Sequence, residues 1–270
     1  NLVLPKEDSP WIVVEADEFD RSFHHLNPQL ALVTSVDADH LDIYGDKEKI
    51  VESFEKFISQ IKPDGKLVVK KGVELNTAKT KAKVYSYSIK EDADFCTLNL
   101  KLSESGGYYQ FNLKTPDGTI ANCKVFYPGL VNVENAVAAA SMAFFAGATA
   151  NEIKAGLEDY RGVARRFDVQ FINQKCIYID DYAHHPEELK AVISSVKALY
   201  PNRKVKGIFQ PHLYSRTKDF APEFATSLDL LDSVILLPLY PAREKPMAGV
   251  SSEIIFEKME LEEKFLVTKD

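Results

Sequence analysis

The sequence predicts an α/β protein in two parts, a mostly parallel sheet that carries an antiparallel hairpin region, followed by a second, doubly wound α/β domain. Three observations carry this reading. Short continuous apolar runs, expected of strands buried on both faces, alternate with helix-period stretches toward both ends of the chain. Between them, residues 83–127 switch to apolar–polar alternation either side of Ser105-Gly106-Gly107, as in a hairpin or meander. With 270 residues, 45% hydrophobic and 27% charged and only 12 glycines, the chain has the composition of a packed globular protein and the length of two domains.

The first apolar run, Trp11-Ile12-Val13-Val14, is expected to be a central parallel strand that ends in the acidic cluster Glu15-Ala16-Asp17-Glu18. The second, residues 30–36, ends in Asp37-Ala38-Asp39-His40. Ile50, Val51, Phe54, Phe57, Ile58 and Ile61 then recur at helical spacing, and Gly65 introduces the strand Lys66-Leu67-Val68-Val69-Lys70. A β-α-β unit of this kind has a right-handed crossover and parallel strands. After the alternating region, helices are expected at about 133–146 and, behind the capping box Thr149-x-x-Glu152, at about 151–160. From Lys175 the alternation of strand and helix restarts, with strands at 177–179, 205–209 and 234–237 and a helix running to Leu199. No repeat or Pro/Ser-rich linker intervenes, so domains of residues 1–170 and 171–270 are expected to meet in a short hinge at 168–174.

A net charge of -7, with acids and bases mixed along the chain, offers no clustered positive face for a polynucleotide. Cys96, Cys123 and Cys176 are odd in number and lack metal-ligand spacing, as expected of thiols in a reducing compartment. No apolar run approaches the ~20 residues of a membrane span and no signal-peptide pattern is visible, so a cytoplasmic protein without a membrane partner is expected. The chain starts without methionine and soon enters an apolar run, which suggests a start within a longer protein.

Ligands of open parallel sheets bind beyond the carboxyl ends of the strands, so the loops at 15–20, 37–42, 180–185 and 210–217 come first. Glu15 and His40, a carboxylate and an imidazole at the ends of neighbouring strands, can hold a divalent cation beside nucleotide phosphates; solvated loop residues are the alternative. In Asp180-Asp181-Tyr182-Ala183-His184-His185-Pro186, Asp181 can accept ribose hydroxyls while Tyr182 and His184 donate to an anionic substrate. Capping of the next helix by an acid, with Pro186 in its first turn, is the competing explanation. Asn132 and Asn135 open an alanine-rich helix, where an amide can pair with adenine, although capping serves equally for Asn132. Arg165, Arg166, Arg216 and Arg243 are candidate clamps for phosphate or carboxylate, or else solvated surface residues. No Gly-rich phosphate loop occurs.

Read as strings, the same residues resemble the Mur ligases. The matching motifs are Glu15-Ala16-Asp17-Glu18-Phe19-Asp20, Asp39-His40-Leu41-Asp42-x-Tyr44, Asn132-x-x-Asn135-Ala136, Gly162-Val163-x-Arg165-Arg166-Phe167, Asp180-Asp181-Tyr182-Ala183-His184-His185-Pro186 and Phe209-Gln210-Pro211-His212-x-Tyr214-Ser215-Arg216-Thr217. Tyr240-Pro241-Ala242-Arg243-Glu244-Lys245-Pro246 is a looser seventh. The resemblance implies a central ATPase-type domain and a C-terminal Rossmann-like domain, with ATP and Mg2+ as cofactors. It is closest to the branch that joins L-alanine to the carboxylate of UDP-N-acetylmuramate through an acyl phosphate. A branch that attaches a tripeptide shares most of the motifs, and a non-catalytic nucleotide-binding module is the reading from another class.

By the same resemblance Glu15 and His40 are magnesium ligands, Asn132 and Asn135 adenine contacts, Arg166 a phosphate contact and Asp181 the ribose acceptor. Tyr182, His184 and Arg216 are substrate-facing. The family's phosphate loop would lie upstream of Asn1, so residues 1–270 are expected to fold without making product. Magnesium is expected to bind only when nucleotide supplies further oxygens. Val131 stands where the family often has histidine. Leu213 stands where it usually has arginine, so Arg216 lacks the second guanidinium of a two-arginine clamp. Removing Arg216 is expected to leave melting nearly unchanged while depressing ligation.

Overall fold

In the computed structural model, which describes residues 9–37, 41–103, 108–127 and 129–267, the second apolar run becomes strand β1, Leu30–Val33. A short helix α1, Leu41–Tyr44, precedes α2, Lys47–Ser59, whose first turn is closed by the Asp46 side chain accepting the Lys49 amide at 2.9 Å. The helix buries Ile50, Phe57 and Ile58 on one face, the helical recurrence read in the sequence. Phe57 and Ile58 join Ala31, Val33, Leu67 and Val69 in one apolar cluster with Phe23 from the 3-10 turn Ser22–His25. Each such buried side chain contributes on the order of 1.5–3 kcal/mol, which is what holds helix to sheet.

Strand β2, Lys66–Lys70, pairs parallel with β1, and β3, Lys83–Ser88, pairs parallel with β2. β4, Phe95–Leu102, is parallel to β3, and β5, Tyr109–Thr115, and β6, Gly118–Val125, extend the sheet in antiparallel fashion. The six-stranded order is β1-β2-β3-β4-β5-β6. β5 alternates buried and half-buried residues along its whole length, as the period-two pattern requires. Helices α3, Leu130–Phe145, and α4, Ala150–Asp159, follow, and the Thr149/Glu152 capping box forms as read.

The run Trp11-Ile12-Val13-Val14 is a correction. It forms no strand, and Ile12 and Val13 are 83% and 97% exposed. Trp11 Nε1 donates to Ala146 O at 3.0 Å, but β1 pairs only with β2 among the described residues. A central strand is stabilised by neighbours on both edges and cover on both faces, and apolarity alone supplies neither.

In the second unit, β7, Asp168–Ile172, and β8, Ile177–Asp180, form an antiparallel pair. The expected hinge at 168–174 is therefore strand and turn. A parallel sheet of order β11-β10-β9 is built from β9, Lys206–Phe209, β10, Ser233–Leu236, and β11, Lys264–Leu266. Helices α5, Pro186–Leu199, α6, Tyr214–Asp219, α7, Ala221–Leu228, and α8, Glu253–Phe256, complete the unit. Its core joins Leu189 and Ile193 to Phe209, Phe224, Leu228, Leu236 and Ile255. The compact units comprise the chain to Phe126 with Val133–Tyr160, and Tyr127–Asn132 with Arg161–Asp270. No helix among the described residues is long and apolar enough to cross a membrane.

Candidate active site

β8 delivers Asp180 and Asp181 to the loop before α5, and the two carboxylates do different things. Asp181 accepts the Phe167 amide at 2.6 Å and the Ala183 amide at 2.7 Å, one through each oxygen. Burial raises its pKa, and those two amides and Arg166 only partly offset that. Each oxygen keeps a lone pair for a further donor. The N-cap of α5 is neither aspartate but His185, and Glu188 in the first turn closes the capping box by accepting the His184 and His185 amides at 2.9 and 3.1 Å. Pro186 starts the helix, where its missing N–H costs nothing.

His184 Nδ1 lies 2.9 Å from Tyr182 O, and since a carbonyl can only accept, Nδ1 is the donor nitrogen. Nε2 is then the acceptor whenever the ring is neutral. The Tyr182 ring packs against His184 at 5.0 Å, with the Arg165 guanidinium over it at 4.7 Å and that of Arg166 at 5.8 Å. Arg165 pairs with Asp180 at 3.8 Å and Arg166 with Glu188 at 3.6 Å. Both arginine side chains are more than half exposed, so each pair contributes no more than about 1 kcal/mol and a ligand anion can compete for them.

The string Gly162-Val163-x-Arg165-Arg166-Phe167 now has a physical meaning. Gly162 has φ 90° and a Cβ there would lie 2.0 Å from the Tyr127 ring, so only glycine permits the approach. Tyr127 Oη donates to Val163 O at 3.3 Å. Phe167, 2% exposed, anchors the far end, and between them the two arginines reach the surface.

Beyond β9, His212 stacks on Tyr240 at 5.2 Å. Burial lowers its pKa, and the positive charges of Arg216, His184 and Arg243 lower it further against the opposing effect of Glu244. The segments after β8, β9 and β10 thus bring His184, His212, Arg216 and Arg243 near one another, with Tyr182 against His184, and the carboxylates of Asp181, Glu188 and Glu244 lie among these cations and Arg166. Arg216 is buried, only 8% exposed, which corrects the expectation that its removal would leave melting unchanged. His212 falls within one motif and Glu188 two residues beyond another, and the signals that point to them are a histidine just past a strand and a glutamate three residues after His185.

In the first unit Glu15 is exposed, and His40 lies outside the described residues. Among the described residues no three His, Cys, Asp or Glu side chains gather as a metal site. Asn132 is the third residue of α3, so it is not the cap, and Asn135 follows one turn later, exposed. Between them Glu134 pairs with Lys70, at the end of β2, at 2.8 Å. Burial, with the Glu134 charge second, pushes the Tyr87 phenol far up.

Residues 3–143 match the family described as Mur ligase middle domain, and residues 165–270 match Mur ligase, glutamate ligase domain. The UDP-N-acetylmuramate--L-alanine ligase of Parabacteroides distasonis is 49% identical over 271 residues, covering 100% of this chain and 58% of that protein. Its counterpart in Phocaeicola vulgatus is 48% identical over 260 residues, covering 96% and 56%. Among solved structures, UDP-N-acetylmuramate-alanine ligase MurC from Thermotoga maritima shares the fold with a TM-score of 0.74 at 24% identity, over 94% of this chain and 54% of that one. The chain therefore spans little more than half the length of the proteins it matches.

Proposed function

The chain belongs to the Mur ligase family, and from that premise we propose that the full-length protein joins L-alanine to the carboxylate of UDP-N-acetylmuramate at the expense of ATP. The observation that carries the choice of substrates is the near-complete cover of this chain by relatives of that name at 48–49% identity. The weakly held, more than half exposed guanidiniums of Arg165 and Arg166 support it, because both the nucleotide and the muramoyl carboxylate are anions that can compete for them. The alternative branch, which takes a tripeptide as the amine, differs in the acceptor and not in the activation chemistry.

A carboxylate is a poor acylating agent, so the muramoyl oxygen attacks the terminal phosphorus of ATP, giving an acyl phosphate and ADP. The alanine amine then adds to the acyl carbon, loses a proton, and phosphate leaves with the C–O bonding pair. We assign Asn132 and Asn135 to adenine, Asp181 to the ribose hydroxyls and Arg166 to a phosphate. Arg216 and Tyr182 face the anionic substrate, and His184, through Nε2, can take the proton released by the amine. Glu15 and His40 are the two protein ligands proposed for magnesium, which supplies charge neutralisation to phosphoryl transfer when bound. The product mass after incubating the full-length protein with ATP, UDP-N-acetylmuramate and L-alanine tests the reading. One added alanyl residue is expected, and unchanged UDP-N-acetylmuramate would contradict it.

A further inference from the structure

Arg216 is the only charged side chain among the described buried residues, and it sits on α6, a helix of six residues. So short a helix does not hold itself in water, because closing the first turn is unfavourable and little propagation follows. Its leading amides have no partner inside the helix, and Leu213 at the N-cap position, with φ 71° and an apolar side chain, supplies none. The partner comes from the loop after β10. Glu244 accepts the Ser215 amide at 3.0 Å through one oxygen and the Ser215 hydroxyl at 2.5 Å through the other.

The two loops are fastened stepwise toward that contact. Leu237 N–H donates to Phe209 O at 2.8 Å, Tyr240 N–H to Pro211 O at 2.8 Å and Leu213 N–H to Tyr240 O at 3.0 Å. A turn closed by Glu244 N–H to Pro241 O at 2.9 Å, with Ala242 at φ 47°, then brings Glu244 back to Ser215. Burial acts to raise the Glu244 pKa, but the Ser215 hydroxyl and amide, the Tyr214 amide and Arg243 together hold it below the usual glutamate value. At neutral pH the clasp is therefore anionic, and hydrogen bonds to an ionised acceptor are the stronger kind.

We infer that Glu244 is a positioning residue for ligation: by clasping Ser215 it fixes the start of α6 and with it the place of Arg216. The inference rests on the substrate-facing role proposed for Arg216. In the full-length protein, kcat and the KM of each substrate are measured for Arg216→Ala, Glu244→Ala, Glu244→Gln and the double change to alanine, with a thermal melt of each. Glu244→Ala is expected to lower ligation roughly tenfold to hundredfold, the scale of a small misplacement of a substrate-holding group, with KM for ATP changed by less than about twofold. Glu244→Gln keeps one acceptor oxygen and recovers part of that loss. Adding Glu244→Ala to Arg216→Ala lowers the rate by less than about a further twofold, since both act through one guanidinium. If Glu244→Ala does not fold, Glu244→Gln is combined with Arg216→Ala and read the same way. A crippled Arg216→Ala beside a normal Glu244→Ala, or full additivity in the double change, overturns the inference and leaves the Arg216 role standing. A normal Arg216→Ala overturns that role, and the inference with it.

Discussion

Arg216 and Lys218 lie two residues apart on α6, one buried and the other exposed, and the difference sets what each removal should do. In the full-length protein Arg216→Ala is expected to lower the melting temperature and to depress ligation by about two orders of magnitude, while Lys218→Ala changes either only slightly. Arg216→Lys keeps the charge without the planar fork, so it should recover stability more than ligation. A lowered melting temperature with ligation no more affected than in Lys218→Ala would leave Arg216 a purely structural role. His212 gives a pH signature. Its folded pKa lies below the 6.5 of a free histidine because of burial and then the Arg216, His184 and Arg243 charges. The unfolded chain thus binds the proton more readily, and stability contributed above pH about 6.5 is lost as pH falls toward the folded value. Melting at pH 7.5 and 5.5 should show a larger drop for the parent than for His212→Gln; identical drops would remove His212 as the cause.

Local signals proved legible at the element scale. The Thr149/Glu152 box and the helical recurrence of Ile50, Phe57 and Ile58 are each decided by residues within a few positions of one another. What failed depended on whether a pairing strand was present, which composition does not show. Trp11-Ile12-Val13-Val14 has the composition of a buried strand without a ladder to join, and within the expected hinge at 168–174 residues 168–172 find a partner in β8 just beyond a turn. The loops carrying Asp181, Tyr182, His184 and Arg216 were found from strand ends, yet neither the burial of Arg216 nor the clasp from Glu244 has a sequence spacing to announce it. Two glycines test the local account. Gly162→Ala should destabilise by ~1–3 kcal/mol, because the new methyl meets Tyr127 and φ is positive. Gly156→Ala, in α4 with nothing within 4 Å, should stabilise by ~0.5–1 kcal/mol. Thermal melts of both decide it, and a neutral Gly162→Ala would mean that the Gly162–Tyr127 contact is not as described.

For the whole molecule the family follows from two matched domains and the proposed substrates rest on the names of relatives, while the chain contributes the surfaces on which each role is proposed. Anionic ligands are what the proposal requires: the chain as a whole is acidic, and Arg216 and Arg243 lie beyond the ends of β9 and β10 near His212. The most direct test of the central claim is ADP release by the full-length protein with ATP and UDP-N-acetylmuramate, measured with L-alanine and with the L-alanyl tripeptide as the amine. Release sustained by L-alanine, with kcat/KM at least about a hundredfold above that for the tripeptide, is the predicted result. Release sustained by the tripeptide and not by L-alanine, or no dependence on either amine, would contradict it.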